Sequence, residues 1–236
     1  MENIQVFDTK QQLGEAAAQQ AVKTLQTAIA KYGSAVWVLS GGTAPGIAYQ
    51  TIAQHYLDAV DWSKVTFIIG DERITTLNSP DNNWNGIEQS LLRFIPQATF
   101  LRPDSTKTAE SGAGEYEKII GQLPKTDDGL PRFDLVWLGI GEDGHTLSLF
   151  PHHPGLAPTE HLVIPIHNSP KPPADRVSLT FHALQGAQDC TILAAGENKA
   201  LIVKQILNGA DLPIVTASKI PKATTWLLDK SAAEQL

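Results

Sequence analysis

The chain has 236 residues, with 18 Lys+Arg against 25 Asp+Glu, a net charge of −7 and 42% hydrophobic residues. That is ordinary globular composition with material for a sizeable core, and the acidic balance argues against a nucleic-acid footprint or a basic membrane-binding surface. A single cysteine, Cys190, excludes an internal disulfide or a Cys-rich zinc site and fits a reducing compartment. The start, Met1-Glu2-Asn3-Ile4-Gln5, lacks the basic stretch and apolar run of a targeting signal. The longest apolar runs are five residues, Ala35–Leu39 and Val65–Ile69, whereas a membrane helix needs roughly 20. The expectation is a cytoplasmic protein without membrane attachment.

In chain order, Leu13, Ala17, Ala21, Leu25 and Ala28/Ile29 recur at helical spacing. Ala35–Leu39 is a continuous apolar run ending in Gly41-Gly42, and Val65–Ile69 is another, ending in Gly70-Asp71. Asp134–Leu138 is a third, ending in Gly139, and further strands are expected at Leu162–Ile166, Arg176–Leu179, Thr191–Ala194 and Thr224–Leu228. Helices are expected over 45–57, 83–93, 109–121, 198–207 and the C-terminal tail. Strands buried on both faces read as unbroken apolar runs and need helical crossovers. The alternation therefore predicts an α/β, Rossmann-like three-layer fold with a mainly parallel central sheet. The Pro/Gly-rich stretch 151–173 reads as an ordered excursion, so residues 1–236 are taken as one domain.

Ligands of open α/β sheets gather at the carboxyl ends of strands. After Leu39 comes Ser40-Gly41-Gly42-Thr43-Ala44-Pro45, a glycine loop opening a helix. Such a loop is either an anion site made of backbone N–H groups and hydroxyls or a plain strand-to-helix turn. It is not a Walker A loop, because no Gly-Lys-Ser/Thr follows. Gly70-Asp71-Glu72-Arg73 is either a solvated loop or a carboxylate and a guanidinium facing the same cleft, and Arg suits phosphate or a developing oxyanion.

The segment from Leu138 to Pro151 carries the most chemistry. Gly139–Gly144 matches G-x-G-x-x-G, but Pro151, Pro154 and Pro158 interrupt the helix that a dinucleotide fold requires. Within it, Asp143-Gly144-His145 places a carboxylate two residues from an imidazole. The carboxylate can orient the ring as a general base, although a His that merely ties down a turn fits equally. His152-His153 lack metal-ligand spacing, and no metal site is expected. Further on, the prolines of 168–180 present Lys171 and Arg176, and Gly196-Glu197-Asn198-Lys199 places Lys199 at a helix N-terminus, where a cation suggests a nearby anion. The polar turn from Asn78 to Asn85 caps the next helix. No nucleophile elbow is present, so no acyl-enzyme is expected.

Taken together, Ser-Gly-Gly-Thr-x-Pro, Gly-Asp-Glu-Arg, Gly-x-Gly-x-Asp-Gly-His-Thr-x-Ser-Leu-Phe-Pro, Pro-Lys-Pro-Pro-x-x-Arg and Gly-x-x-Lys-Ala occur in that order. Over residues 5 to 230 the chain resembles the 6-phosphogluconolactonase family of the sugar-phosphate isomerase-like α/β superfamily. Ala44 and Leu147 are small departures from the commoner pattern. The resemblance implies opening of 6-phospho-D-glucono-1,5-lactone to 6-phosphogluconate in the oxidative pentose phosphate pathway, with no cofactor. It also implies that Ser40, Gly41, Gly42 and Thr43 cradle the 6-phosphate with Arg176 and Lys199. His145, oriented by Asp143, then activates water. Arg73, with Lys171, serves the oxyanion or the substrate, and Asp71 orients either substrate hydroxyls or Arg73. The implied partner is this small phosphorylated lactone, with a monomer favoured as the oligomeric state. Glucosamine-6-phosphate deaminases, the alternative, carry a Glu where this chain has Phe150. A non-catalytic sugar-phosphate sensor is the other alternative, and it usually adds a helix-turn-helix for which no segment is spare.

Overall fold

A computed structural model of the chain describes residues 3–236. Met1 and Glu2, part of the start read above for a targeting signal, lie outside the described residues. The strands and helices in order are β1 (Ile4–Phe7), α1 (Lys10–Tyr32), β2 (Ala35–Leu39), α2 (Thr43–His55), β3 (Val65–Ile69), β4 (Asp71–Arg73), α3 (Asn83–Ser90), β5 (Thr99–Leu101), α4 (Ala109–Gly121), β6 (Phe133–Gly139), β7 (Val163–Ile166), β8 (Arg176–Leu179), α5 (Phe181–Leu184), β9 (Ala187–Ala194), α6 (Ala200–Leu207), α7 (Pro213–Ser218) and β10 (Ala223–Asp229). Among the described residues no helix is long and apolar enough to cross a membrane.

Seven strands form one sheet in the order β1-β10-β9-β6-β2-β3-β5, with every pairing parallel. Helices flank it, which gives the expected Rossmann-like three-layer architecture. From β2 the sheet grows outward through β3 and β5, and from β6 it grows the other way through β9 and β10. The strand order therefore reverses between β2 and β6, and their carboxyl ends flank a crevice. All five residues of β2 are buried, as its unbroken apolar run requires. Trp37 of β2 and Trp137 of β6 meet edge to face at 4.8 Å, and Tyr49 of α2 stacks on Trp137 at 5.1 Å. These contacts place an aromatic core directly beneath the crevice.

Helix α1 begins at Thr9, whose hydroxyl accepts from the Gln12 N–H at 3.2 Å, and ends at Gly33 in the left-handed region. It buries Leu13, Ala17, Ala21, Leu25 and Ala28, the stripe its spacing predicts.

Three expectations need correction. Leu162–Ile166 and Arg176–Leu179 do form strands, but β7 and β8 join β4 in a separate antiparallel sheet of order β4-β8-β7. The connection 167–175 is too short for a helical crossover, so the two strands pair antiparallel. The C-terminal tail is not a helix. Beyond β10 it makes only turns, pinned by Asp229, whose carboxylate accepts from the N–H groups of Ala232 (2.8 Å) and Gly196 (3.0 Å). The helix expected over 83–93 stops at Ser90 and yields to a 3-10 turn over Leu92–Phe94, just ahead of Ile95-Pro96. The edge strands β1 and β5, of four and three residues, are too short to stand out in the sequence.

Candidate active site

The cleft at the carboxyl ends of β2 and β6 has a volume of about 350 Å³. Each of its walls comes from a strand end. Ser40 to Gly42 leave β2, Asp71 and Arg73 lie on β4 just past β3, His145 follows β6, Lys171 and Arg176 lead into β8, and Lys199 follows β9. All of these residues line the cleft. Two predicted residues do not. Thr43 is exposed in the first turn of α2, and Asp143 stands behind His145.

The glycine loop is held from below. The Ser40 N–H donates to the Tyr49 hydroxyl at 3.1 Å, and that hydroxyl donates back to the Ser40 carbonyl at 3.0 Å. Gly42, with φ 111°, then turns the chain into α2, and among the described residues no side chain caps that helix start. The first N–H groups of α2 are thus left open to an anion. A Cβ at Gly41 would meet the Asn83 side chain, which would have to swing out of the cleft wall to make room.

After β6 there is no α-helix before β7, only turns and a 3-10 turn at Pro154–Leu156, so the G-x-G-x-x-G match has no dinucleotide context. Instead Gly144, with φ 81°, folds the turn so that Asp143 Oδ1 meets His145 Nδ1 at 2.5 Å. Gly141 leaves room for this pair, because a Cβ there would overlap both side chains. Burial pushes the Asp143 carboxyl upward, but the hydrogen bond and charge of His145, with Lys171 at 3.7 Å, outweigh it and hold the group well below the usual range. A permanently ionised Asp143 accepts from Nδ1–H and leaves Nε2 as the basic nitrogen. Phe150 packs its ring 4.4 Å from His145 and 5.3 Å from the Arg176 guanidinium. The position that carries a Glu in the deaminases is here a fully buried apolar wedge.

The small sheet pairs Arg73 directly with Arg176 across β4 and β8. Arg176 is almost wholly buried. Its Nη2 donates to the Lys171 carbonyl at 2.9 Å, its Nε donates to the Pro173 carbonyl at 3.2 Å, and burial lowers its pKa. The Ser148 hydroxyl donates to Asp71 Oδ2 at 2.6 Å and stands 3.5 Å from Arg176 Nη1, so it connects the two. Arg73 Nη1 donates to the Asp81 carbonyl at 2.8 Å. Lys199 sits in a different neighbourhood. Burial lowers its pKa, and the charges around it are Glu142, Lys171 and Asp143. Arg176 instead faces Asp71, Arg73 and Asp81. The cleft thus has two cationic poles, Arg73 with Arg176 and Lys171 with Lys199. Sequence reasoning groups these residues the other way.

Sequence reasoning also misses cleft residues. Asn83 and Asp81 line the wall, and the only signal for them was the polar turn 78–85. Tyr49 and Ser148 support the site from buried positions that nothing in the local sequence marks. Among the described residues no cluster of three or more His, Cys, Asp or Glu suits a metal ion.

Residues 8–226 match the family model described as glucosamine-6-phosphate isomerases/6-phosphogluconolactonase. A 6-phosphogluconolactonase of Streptomyces coelicolor is 37% identical over 98% of this chain and 93% of its own. One of Rattus norvegicus is 34% identical over 99% of this chain and 93% of its own. The crystal structure of 6-phosphogluconolactonase from Leishmania guyanensis superposes with a TM-score of 0.87 at 28% identity, covering 100% of this chain and 99% of that one.

Proposed function

The chain belongs to the glucosamine-6-phosphate isomerase/6-phosphogluconolactonase family, and on that premise we propose how its cleft works. It is a carboxylic ester hydrolase that opens 6-phospho-D-glucono-1,5-lactone to 6-phospho-D-gluconate in the oxidative pentose phosphate pathway, the activity its relatives carry in their names. The observation that carries the mechanism is the Asp143–His145 pair facing a cleft lined by four cations.

His145 Nε2 takes a proton from water as the oxygen attacks the lactone C1 carbonyl. Asp143 holds the ring tautomer and stabilises the imidazolium that forms. Arg73, with Lys171, meets the negative charge that develops on the carbonyl oxygen. The protonated His145 then returns its proton to the ring oxygen as the C1–O bond breaks. The 6-phosphate lies against Ser40, Gly41 and Gly42 and the open start of α2, where the Thr43 backbone contributes, with Arg176 and Lys199 supplying charge from the two poles. Asp71, held by Ser148, orients substrate hydroxyls. Every residue given a role comes from one copy of the chain, so a monomer suffices and the whole chain acts as one catalytic domain. The cytoplasm, with its reduced thiols, is the setting that fits a lone buried Cys190.

The test is lactone hydrolysis corrected for spontaneous opening. His145→Ala is expected to lower turnover by roughly 10²–10⁴-fold, and an unchanged rate removes His145 as the base. Phe150, an apolar group where ring-opening chemistry needs a carboxylate, argues against deaminase activity, and absence of ammonia release from glucosamine 6-phosphate is the matching expectation.

A further inference from the structure

Glu72 is the member of the Gly-Asp-Glu-Arg segment to which the mechanism gives no task. It lies in the middle of β4, only 1% exposed. A carboxylate so placed is costly unless it is fully hydrogen-bonded. It accepts three backbone N–H groups, from Arg73 and Asn83 on Oε1 and from Trp84 on Oε2, each at 2.8 Å. Asn83 and Trp84 are the first two residues of α3, and Asn82 caps the same helix by accepting from the Asn85 N–H at 2.9 Å. Glu72 therefore satisfies the two N-terminal N–H groups that Asn82 does not reach, and it does so from another element.

The consequence reaches the cleft. The segment that Glu72 anchors includes Asp81, whose carbonyl receives Arg73 Nη1 at 2.8 Å, and Asn83, whose amide donates to the Asp71 carbonyl at 3.1 Å. Arg73 Nε is buried and has no partner among the described residues. The direction of the guanidinium thus depends on where the start of α3 sits. The geometry points to Glu72 as a positioning residue: by tying the start of α3 to β4 it aims the Arg73 guanidinium at the reacting carbonyl. This rests on the assignment of Arg73 to the oxyanion. A carboxyl group suits the task because all three partners are donors and both of its oxygens accept. A Gln side chain accepts at only one end and would present a donor to the third N–H.

The experiment is a double-mutant cycle on the full chain, read as kcat and KM in the lactone assay well below the melting temperature. Glu72→Gln is expected to lower kcat by roughly 10- to 100-fold, the scale of a small misplacement of a catalytic group, with KM within about twofold. In an Arg73→Ala background the same change is expected to alter kcat by less than about twofold, because there is no guanidinium left to aim. Equal losses in both backgrounds, or a loss confined to KM, overturn the proposal. An Arg73→Ala variant with wild-type kcat instead overturns the oxyanion assignment on which it rests, and with it the proposal. If Glu72→Gln does not fold, Glu72→Asp, which keeps the charge and shortens the reach, goes through the same cycle with the same outcomes.

Discussion

In the proposed mechanism His145 serves as a base in one tautomer, and Asp143, hydrogen-bonded to Nδ1, selects it. The carboxylate sits against Nδ1, and its depressed pKa keeps it ionised. Asp143→Asn preserves size but replaces an obligate acceptor with a group that can also donate to Nδ1, which would leave the proton on Nε2. Turnover is expected to fall roughly 10²- to 10⁴-fold, with KM little changed. Steady-state kinetics on the purified variant check this, and a loss confined to KM would reassign Asp143 to substrate binding. Gly141 matters at the same scale, because the close approach of the pair leaves no room for a Cβ there.

At the scale of elements, the site is made where strands end and helices begin. The glycine loop lies between β2 and α2, and Tyr49 on the second turn of α2 reaches back to clamp both the N–H and the carbonyl of Ser40. Tyr49→Phe removes both bonds and leaves two backbone groups of the loop unsatisfied. A stability loss of about 1–3 kcal/mol is expected in denaturant unfolding, accompanied by a raised KM as the phosphate cradle loosens. An unaltered KM would show that the loop holds its shape without the clamp. The small antiparallel sheet does comparable work on the opposite wall. Its register sets Arg73 beside Arg176, and Ser148 joins Asp71 to Arg176.

For the molecule as a whole, the net charge of −7 sits with a cleft lined by Arg73, Lys171, Arg176 and Lys199 against Asp71 and Asp81. The proposed binding mode draws the substrate anion to a local excess of positive charge on an acidic protein. KM is therefore expected to rise with ionic strength, since salt screens this attraction. Arg176→Ala should raise KM at low salt and flatten that dependence. A KM indifferent to salt in the wild type would count against a phosphate held by these cations. Stability carries its own pH signature. Burial raises Glu72 from 4.5 to about 7, so between those values the folded state holds a proton that the unfolded chain has released. This contribution is complete below about pH 4.5 and is lost as pH rises through about 7. The melting temperature of the wild type, relative to Glu72→Gln, is expected to fall across that window, and a constant offset would mean that Glu72 does not titrate there.

The unbroken apolar runs of β2, β3 and β6 and the stripe of α1 were legible in the sequence because burial on one or both faces imposes a local pattern. The glycine loop and the Asp-Gly-His turn were legible too, because their chemistry lies within six residues of chain. Local pattern carries no information about pairing partners across the chain. Only the tertiary structure decided that β7 and β8 leave the parallel sheet and pair with β4, that Arg73 faces Arg176 while Lys199 faces Lys171, and that Tyr49, Asn83 and Ser148 serve the cleft. Each of those outcomes depends on contacts between segments whose separation the sequence does not encode in any short window. The C-terminal tail shows the same limit in reverse. Its residues read as helical, yet Asp229 accepts the N–H groups of Gly196, just past the neighbouring strand β9, and of Ala232, and holds the tail in turns, because so short a segment cannot outweigh the cost of starting a helix.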